Sequence, residues 1–85
     1  MKNNWLITFR SVTYAQKAER LLTRAGIGCM LQRTPKLLSE RGCGYCLRLQ
    51  MKDAMAAVEL LREHEVSYGK IYVLQEDGAL QERVL

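Results

Sequence analysis

Residues 5–10, with the sequence WLITFR, decide the fold because every second side chain of this stretch is large and apolar. That period of two predicts a β-strand with one buried face. Directly after it, Thr13 and Gln16 have the spacing of a capping box, which marks the start of a helix. Apolar residues at helical spacing then continue to Gly26, and glycine favours the left-handed conformation in which many helices end. The sequence therefore predicts a strand followed by a helix over residues 13–25.

The rest of the chain predicts two more strands, a second helix and a closing strand. Alternation supports the strand at residues 45–50, and an apolar stripe at helical spacing supports the helix, for which Asp53 is the predicted N-cap. Residues 75–85 fit no single structure, because the turn signal Asp77-Gly78 is followed by residues that suit a helical turn or an added strand. The predicted elements are strands at residues 27–33, 45–50 and 71–74 and a helix at residues 53–65.

The order strand–helix–strand–strand–helix–strand is that of the ferredoxin-like fold, in the α+β class. Right-handed crossovers place both helices on one face of a four-stranded antiparallel sheet. We expect a single domain over residues 1–85, with its core at about residues 5–74. The other face is mixed but has apolar area, so we expect it to form a homodimer. Its predicted members are Leu6, Thr8, Met30, Gln32, Cys46, Arg48, Tyr72 and Leu74.

Composition excludes several classes of protein. The 85 residues include 13 basic and 9 acidic side chains, a net charge of +4, and 48% are hydrophobic. This balance fits one small globular domain and is too mild to indicate nucleic-acid binding by itself. No apolar run approaches the roughly 20 residues of a membrane span, and the first residues lack the apolar core of a signal peptide. We therefore expect a soluble, cytoplasmic protein with no membrane partner.

Familiar enzyme and RNA-binding patterns are missing from the sequence. There is no P-loop, no G-x-S-x-G and no H-E-x-x-H motif, so the sequence indicates group transfer at most and leaves enzymatic activity open. RNA-recognition domains of this fold stack bases on aromatic residues of the first and third strands. The corresponding positions are Leu6, Thr8, Cys46 and Arg48, none of which is aromatic, so no nucleic-acid partner is predicted.

Three cysteines are the most informative residues, because an odd number does not fit the even disulfide framework of small secreted domains. Cys29 alternates with apolar neighbours and is expected in the core. Cys43 lies between two glycines in a polar loop, where an exposed thiol is expected. Cys46 is either a resolving thiol for Cys43 or a packing residue. One C-x-x-C pair supplies too few ligands for a structural zinc site, so no metal and no cofactor are predicted.

The predicted topology brings the end of the first strand to the start of the third. Arg10 and Ser11 are therefore expected near Cys43 and Gly44, at the end where the first helix begins. Helix N-terminal amides and basic side chains lower the pKa of a thiol and stabilise the thiolate, which is the nucleophile and the sulfur carrier. The basic side chains expected there are Arg10, Arg33, Lys36 and Arg41.

Several short runs resemble the selenium/sulfur (Se/S) carrier protein-like family of small ferredoxin-like proteins. The likeness spans about residues 5–74, and the order and spacing of the runs are its most specific property. The first runs are Phe9-Arg10-Ser11, Ala15, Ala18-Glu19, Leu22 and Ala25-Gly26-Ile27. The later ones are Thr34-Pro35-Lys36, Ser39, Cys43-Gly44, Leu47-Arg48 and Ile71-Tyr72.

The resemblance implies that Cys43 carries sulfur or selenium, as a persulfide or selenopersulfide, between a donor and an acceptor protein. Lys36 stands where an arginine is commoner in the family, and the interval from Ser39 to Cys43 is one residue longer. Cys46 stands where a small or apolar residue is usual, which favours a Cys43–Cys46 disulfide. The predicted binding residues around Cys43 are Arg10, Ser11, Lys36, Ser39, Arg41, Gly44 and Arg48.

A second hypothesis comes from another functional class. In it the chain is a non-catalytic dimeric module that binds a small ligand or a partner protein, with the open sheet face as its dimer interface. The three thiols would then be incidental to its function.

Overall fold

The computed structural model describes residues 4–34, 44–75 and 77–83. Within these ranges, two helices and five strands follow one another, and each strand pairs with its sheet neighbours in the antiparallel sense. The elements are β1 (Asn4–Phe9), α1 (Val12–Arg24), β2 (Cys29–Arg33), β3 (Tyr45–Gln50), α2 (Met51–Glu63), β4 (Ile71–Leu74) and β5 (Leu80–Arg83).

The sheet has the strand order β2-β3-β1-β4-β5, so the class is α+β with a five-stranded antiparallel sheet. The predicted order of the first six elements is confirmed, but the predicted count of four strands is wrong. The tail supplies the fifth strand, because a tight turn at Asp77 and Gly78 folds it back along β4. In that turn the Ala79 amide donates to Oδ1 of Asp77 (2.9 Å), and Gly78 has a φ of 89°.

Both helices begin before their predicted first residues. Ser11 is the N-cap of α1 in place of Thr13, since its backbone is extended and its side chain accepts from the Tyr14 amide. Helix α2 begins at Met51, two residues before the predicted Asp53, and its N-cap Gln50 makes no side-chain capping bond. Strand β3 runs straight into α2, so no loop residue stands between them to cap the helix.

The core lies between the helices and one face of the sheet. Small side chains on the inner stripes of the helices, such as Ala18 and Ala57, allow the helices to approach the sheet closely. Larger apolar side chains of the central strands fill the space beneath them. Burying an apolar side chain of that size stabilises the fold by about 1.5–3 kcal/mol. The fully buried strand residues on this face include Ile7, Leu47 and Leu49.

The opposite face of the sheet, which we call the open face, contains the side chains predicted for it. Strand register places them together, since Leu6 pairs with Arg48 and Tyr72, and Arg48 pairs with Met30. Met30 is 58% exposed, whereas Leu6 is 1% exposed and Cys46 is 0% exposed. The open face is therefore exposed at its rim and buried along the central strands.

Besides Gly78, two further glycines are required by the backbone. Helix α1 ends at Arg24, and its C-cap is the exposed residue Ala25. Gly26 follows the cap with a φ of 83°, in the left-handed region that favours glycine. A Cβ at Gly69 would lie 2.7 Å from Oγ1 of Thr8, so the loop before β4 approaches β1 too closely for any side chain.

Within the described ranges, neither helix combines the length and the apolar character needed to cross a membrane.

Candidate functional site

Four of the predicted site residues fall outside the part of the chain that the structure describes: Lys36, Ser39, Arg41 and Cys43. The other five are described: Arg10, Ser11, Gly44, Cys46 and Arg48. The description stops at Thr34 and resumes at Gly44, directly after Cys43 in the sequence.

Strand register defines the end of the sheet at which Gly44 lies. Phe9 pairs with Tyr45, so Arg10, which follows Phe9, and Gly44, which precedes Tyr45, leave the sheet at the same end. The Thr34 amide donates to the carbonyl oxygen of Gly44, which closes the β2–β3 connection at its base. The expected juxtaposition of Arg10 with the start of the third strand is confirmed in the backbone.

Helix α1 begins at this same end of the sheet. Oγ of Ser11 accepts a hydrogen bond from the Tyr14 amide (3.4 Å), and the Ser11 carbonyl accepts from the Ala15 amide (3.1 Å). The first amides of the helix and the positive end of its dipole are therefore directed towards the end of β1. Because Ser11 Oγ already caps the helix, one of its acceptor positions is occupied by Tyr14.

Two exposed arginines add positive charge to this end. Arg10 is the first residue after β1 and is exposed to solvent. The guanidinium of Arg33 lies 5.6 Å from the ring centroid of Tyr45, on the adjacent strand. That cation–π contact holds the guanidinium beside Tyr45, and Arg33 remains exposed to solvent. An anion held near Gly44 would experience both charges.

Cys46 is fully buried and lies on the open face, two residues into β3. Its Sγ lies 4.0 Å from the carbonyl oxygen of Arg33. Burial raises the pKa of the Cys46 thiol above its ordinary value; a hydrogen bond with Thr34 and the charge of Arg48 oppose that effect and are weaker. Cys46 is therefore a protonated thiol at neutral pH, which favours packing over nucleophilic attack in this conformation.

Arg48 belongs to the middle of the sheet and not to the end where Gly44 lies. Gly44 and Arg48 are four positions apart along the strand, which corresponds to about 13 Å. Arg48 faces Leu6 on one side and Met30 on the other, and its Nε is buried without a hydrogen-bond partner among the described residues. The structure thus brings Arg10, Ser11 and Gly44 together and places Arg48 apart from them.

Cys29 lies at the opposite end of the sheet, where it begins β2 and pairs with Leu49. It is partly buried against the core, and its Sγ is 4.0 Å from the carbonyl oxygen of Glu19. Burial raises the pKa of this thiol, a hydrogen bond with Thr23 lowers it, and the charge of Glu19 raises it further. Its expected packing role agrees with this position.

Thr34 is the residue that sequence reasoning missed. It bonds the backbone next to the predicted carrier through its amide, and it contacts Cys46 through its side chain. From the sequence, Thr34 was identified only as part of the run Thr34-Pro35-Lys36, with no role at the site. Across residues 4–34, 44–75 and 77–83, no three His, Cys, Asp or Glu side chains lie close enough together to hold a metal ion.

One family model matches the chain, and its description is "Putative Se/S carrier protein-like". The match covers residues 4–73, which include all the elements from β1 to the third residue of β4. The chain belongs to this family. The resemblance drawn from the sequence runs is thereby confirmed. Neither the curated proteins nor the solved structures contain a match to the chain.

Proposed function

We propose that the protein carries sulfur or selenium between partner proteins, as a persulfide or selenopersulfide on Cys43. Membership of the Se/S carrier-like family, over residues 4–73, is the observation that supports this most strongly. The proposed partners are a donor protein that delivers the chalcogen and an acceptor protein that removes it. Both exchanges are group transfers that need no cofactor, so whether the protein counts as an enzyme depends on its turnover.

The described end of the sheet supports this role through its electrostatics. A persulfide is an anion at neutral pH, and the amides of α1, Arg10 and Arg33 all lie at the end of the sheet that leads to Cys43. Such groups stabilise negative charge on sulfur. We propose that Lys36 and Arg41 add further positive charge and that Ser39 donates a hydrogen bond to the anion.

The transfer balances without an external oxidant or reductant. The Cys43 thiolate attacks the terminal sulfur of the donor's persulfide, and a new S–S bond forms on Cys43. The S–S bond of the donor breaks at the same time, and the donor cysteine leaves as a thiolate. The acceptor's thiolate then removes the terminal sulfur from Cys43 in the same manner. A selenopersulfide follows the same scheme with selenium as the transferred atom.

Cys46 offers a second route for release. Its thiolate would attack Cys43 sulfur, expel hydrosulfide and form a Cys43–Cys46 disulfide, which a dithiol reductant would later reduce. The burial and the raised pKa of Cys46 disfavour this route in the described conformation. We therefore propose direct transfer to the acceptor as the main route. In this proposal Cys46 is a packing residue of the open face.

The open face supports a proposal of homodimerisation. Met30 is 58% exposed on this face, and Tyr72 and Leu74 lie half-buried on β4. A second copy would cover these side chains, which also supports the alternative function of a dimeric binding module. We expect Met30→Glu to shift the protein from dimer to monomer in light scattering at fixed concentration. A mass unchanged by this substitution would argue against the interface.

We further propose a cytoplasmic location, where free thiols persist.

Intact-mass measurement tests the carrier function directly. The reduced protein is incubated with a cysteine desulfurase and free cysteine, and we expect the mass to rise by one sulfur atom. Cys43→Ser should abolish the adduct, whereas the matched variants Cys46→Ser and Cys29→Ser should retain it. If no adduct forms on the unmodified chain, or if the adduct persists in Cys43→Ser, the carrier proposal fails and the binding module becomes the better explanation.

A further inference from the structure

A groove of about 330 Å³ lies on the helix side of the molecule, between α1 and the residues that follow α2. It is distinct from the end of the sheet that leads to Cys43 and from the open face. Its lining consists of Lys17, Arg20, Leu21, Arg24, His64 and Val66. Four of these six side chains are lysine, arginine or histidine, and none is acidic.

The cations are aligned along one face of α1. Lys17, Arg20 and Arg24 are spaced three and then four residues apart, which places them on the same side of a helix. All three are exposed, and none forms an ion pair or a side-chain hydrogen bond with another residue in the described ranges. Like charges at this spacing destabilise a helix. In the absence of a partner, the three like charges therefore destabilise α1.

Helix stability does not account for this alignment. A cation in the last turn of a helix balances the partial negative charge of about −0.5 at its C-terminus. Arg24 lies in the last turn of α1 and fills that role. Lys17 and Arg20 lie in earlier turns, where the dipole offers them no comparable stabilisation. Their charges remain available to an external partner.

The chemistry of the groove favours an acidic peptide segment over a small inorganic anion. Leu21 is half-buried and Val66 is buried, so the groove has an apolar floor beneath its cationic rim. The amide end of α1 lies at Ser11, outside the lining, so the groove lacks the backbone donors typical of phosphate sites. Lys17 and Arg24 are seven residues apart, or about 10 Å along the helix, which is about two turns of a docked helix.

We propose that this groove docks an acidic amphipathic helix of a partner protein. Carboxylates along one side of that helix pair with Lys17, Arg20 and Arg24, and an apolar side chain packs on Leu21. A partner bound there leaves both the open face and the end of the sheet at Gly44 uncovered. The proposal does not rest on sulfur transfer by Cys43, because it requires only that the chain has a protein partner.

The test uses the full chain and a fluorescein-labelled synthetic peptide of about 14 residues, close to the minimum length for helicity in water. Leucine and glutamate occur in it at helical spacing on adjacent faces. Fluorescence anisotropy should show binding that weakens as NaCl rises from about 0.05 to about 0.5 M. A scrambled peptide of the same composition should bind about tenfold more weakly, because it lacks the amphipathic pattern.

Matched charge-reversal variants separate the groove from net charge. Lys17→Glu/Arg20→Glu/Arg24→Glu and the control Lys52→Glu/Lys70→Glu/Arg83→Glu each change the net charge by −6, from +4 to −2. We expect the groove variant to weaken peptide binding at least about tenfold more than the control does. Circular dichroism establishes that each variant folds. Should the groove triple fail to fold, Arg20→Gln is compared with Lys52→Gln in the same assay.

Three outcomes would overturn the proposal. The first is equal loss of binding in the groove and control variants, and the second is equal binding of the patterned and scrambled peptides. The third is displacement of the peptide by pyrophosphate or by oligouridylate at matched ionic strength, which would identify a phosphate site. Amide chemical-shift changes confined to α1 and to residues 64–66, with no displacement by either competitor, support the proposal.

Discussion

Side chains of the central strands are equally buried on the two faces of the sheet, but their surroundings differ. Leu47 is 0% exposed beneath the helices, and Leu6 is 1% exposed on the open face. Leu47 belongs to the core cluster formed with both helices, whereas Leu6 lies outside that cluster, between Arg48 and Tyr72 of its neighbouring strands. Burial on the helix side depends on packing of one layer on another. On the open face, the register neighbours of Leu6 are long side chains of the adjacent strands.

This difference separates stability from association. A layered core loses contacts on several sides when a side chain is removed, and the surrounding structure relaxes only in part. An open face lets water and flexible neighbours take up the vacated space. The helix side should therefore hold most of the folding free energy, and the open face should be the more tolerant of change.

The largest expected effect is that of Leu47→Ala, which should lower the free energy of unfolding by about 3–4 kcal/mol because it leaves a cavity beneath the helices. Leu6→Ala should lower it by only about 2 kcal/mol, because the long side chains of Arg48 and Tyr72 on the neighbouring strands can relax into the space that Leu6 leaves. Met30→Ala, at an exposed position, should change it by less than about 0.5 kcal/mol. Urea unfolding followed by circular dichroism measures all three. Equal losses for Leu47→Ala and Leu6→Ala would break the distinction between the faces.

The next effect concerns the loop that closes against the end of β1. Gly69→Ala places a Cβ 2.7 Å from Oγ1 of Thr8 and 3.3 Å from its carbonyl oxygen. Those atoms bond the Lys70 and Gly69 amides, at 2.8 and 2.6 Å, so they cannot yield freely. We expect a loss of about 1–3 kcal/mol in the free energy of unfolding.

Gly28→Ala is the matched control for that substitution, because a Cβ at Gly28 would have nothing within 4 Å and the φ of this residue is not positive. It should be neutral or stabilise the protein by up to about 1 kcal/mol through the unfolded chain. A loss in Gly28→Ala as large as that in Gly69→Ala would show that the close approach to Thr8 is not the cause.

The smallest effect is the alkaline titration of Cys46. Burial raises the pKa of its thiol above the ordinary value of 9.0, so the unfolded chain loses this proton first as the pH rises. The stabilisation is complete below about pH 9 and is lost as the pH rises through the folded-state pKa. We expect Cys46→Ala to show a shallower decline of unfolding free energy between about pH 8 and pH 10 than the unmodified chain.

Urea unfolding at a series of pH values measures that decline. Cys46→Ala adds a constant loss from its cavity, so the slope with pH carries the information. Cys29→Ala serves as the comparison at the other end of the sheet, where the thiol is only partly buried. Parallel curves for the unmodified chain and Cys46→Ala would contradict the burial of an ionisable thiol on the open face.

Two strands were predicted with the bounds that the structure shows. In β3 the apolar and polar residues alternate from Leu47 to Gln50, and β4 is a short apolar run between turn signals. The helix starts were less predictable. Ser11 and Thr13 are both good capping residues, and only the extended backbone at Ser11 decides between them. At the candidate site, the sequence predicted that Arg10 lies near Gly44, and strand register agrees. The sequence did not predict that Arg48 lies apart from them, in the middle of the sheet.

The sequence by itself determined which side chains share a face, because a period of two or of 3.6 residues is a local property of the chain. It also carried the family resemblance, which is a matter of residue order and spacing. Tertiary structure alone decided that the tail adds a strand to β4, that Cys46 is buried, and that cations of α1 line a groove with His64. Each of these depends on what a neighbouring element covers, and coverage is set by packing between elements distant in the sequence.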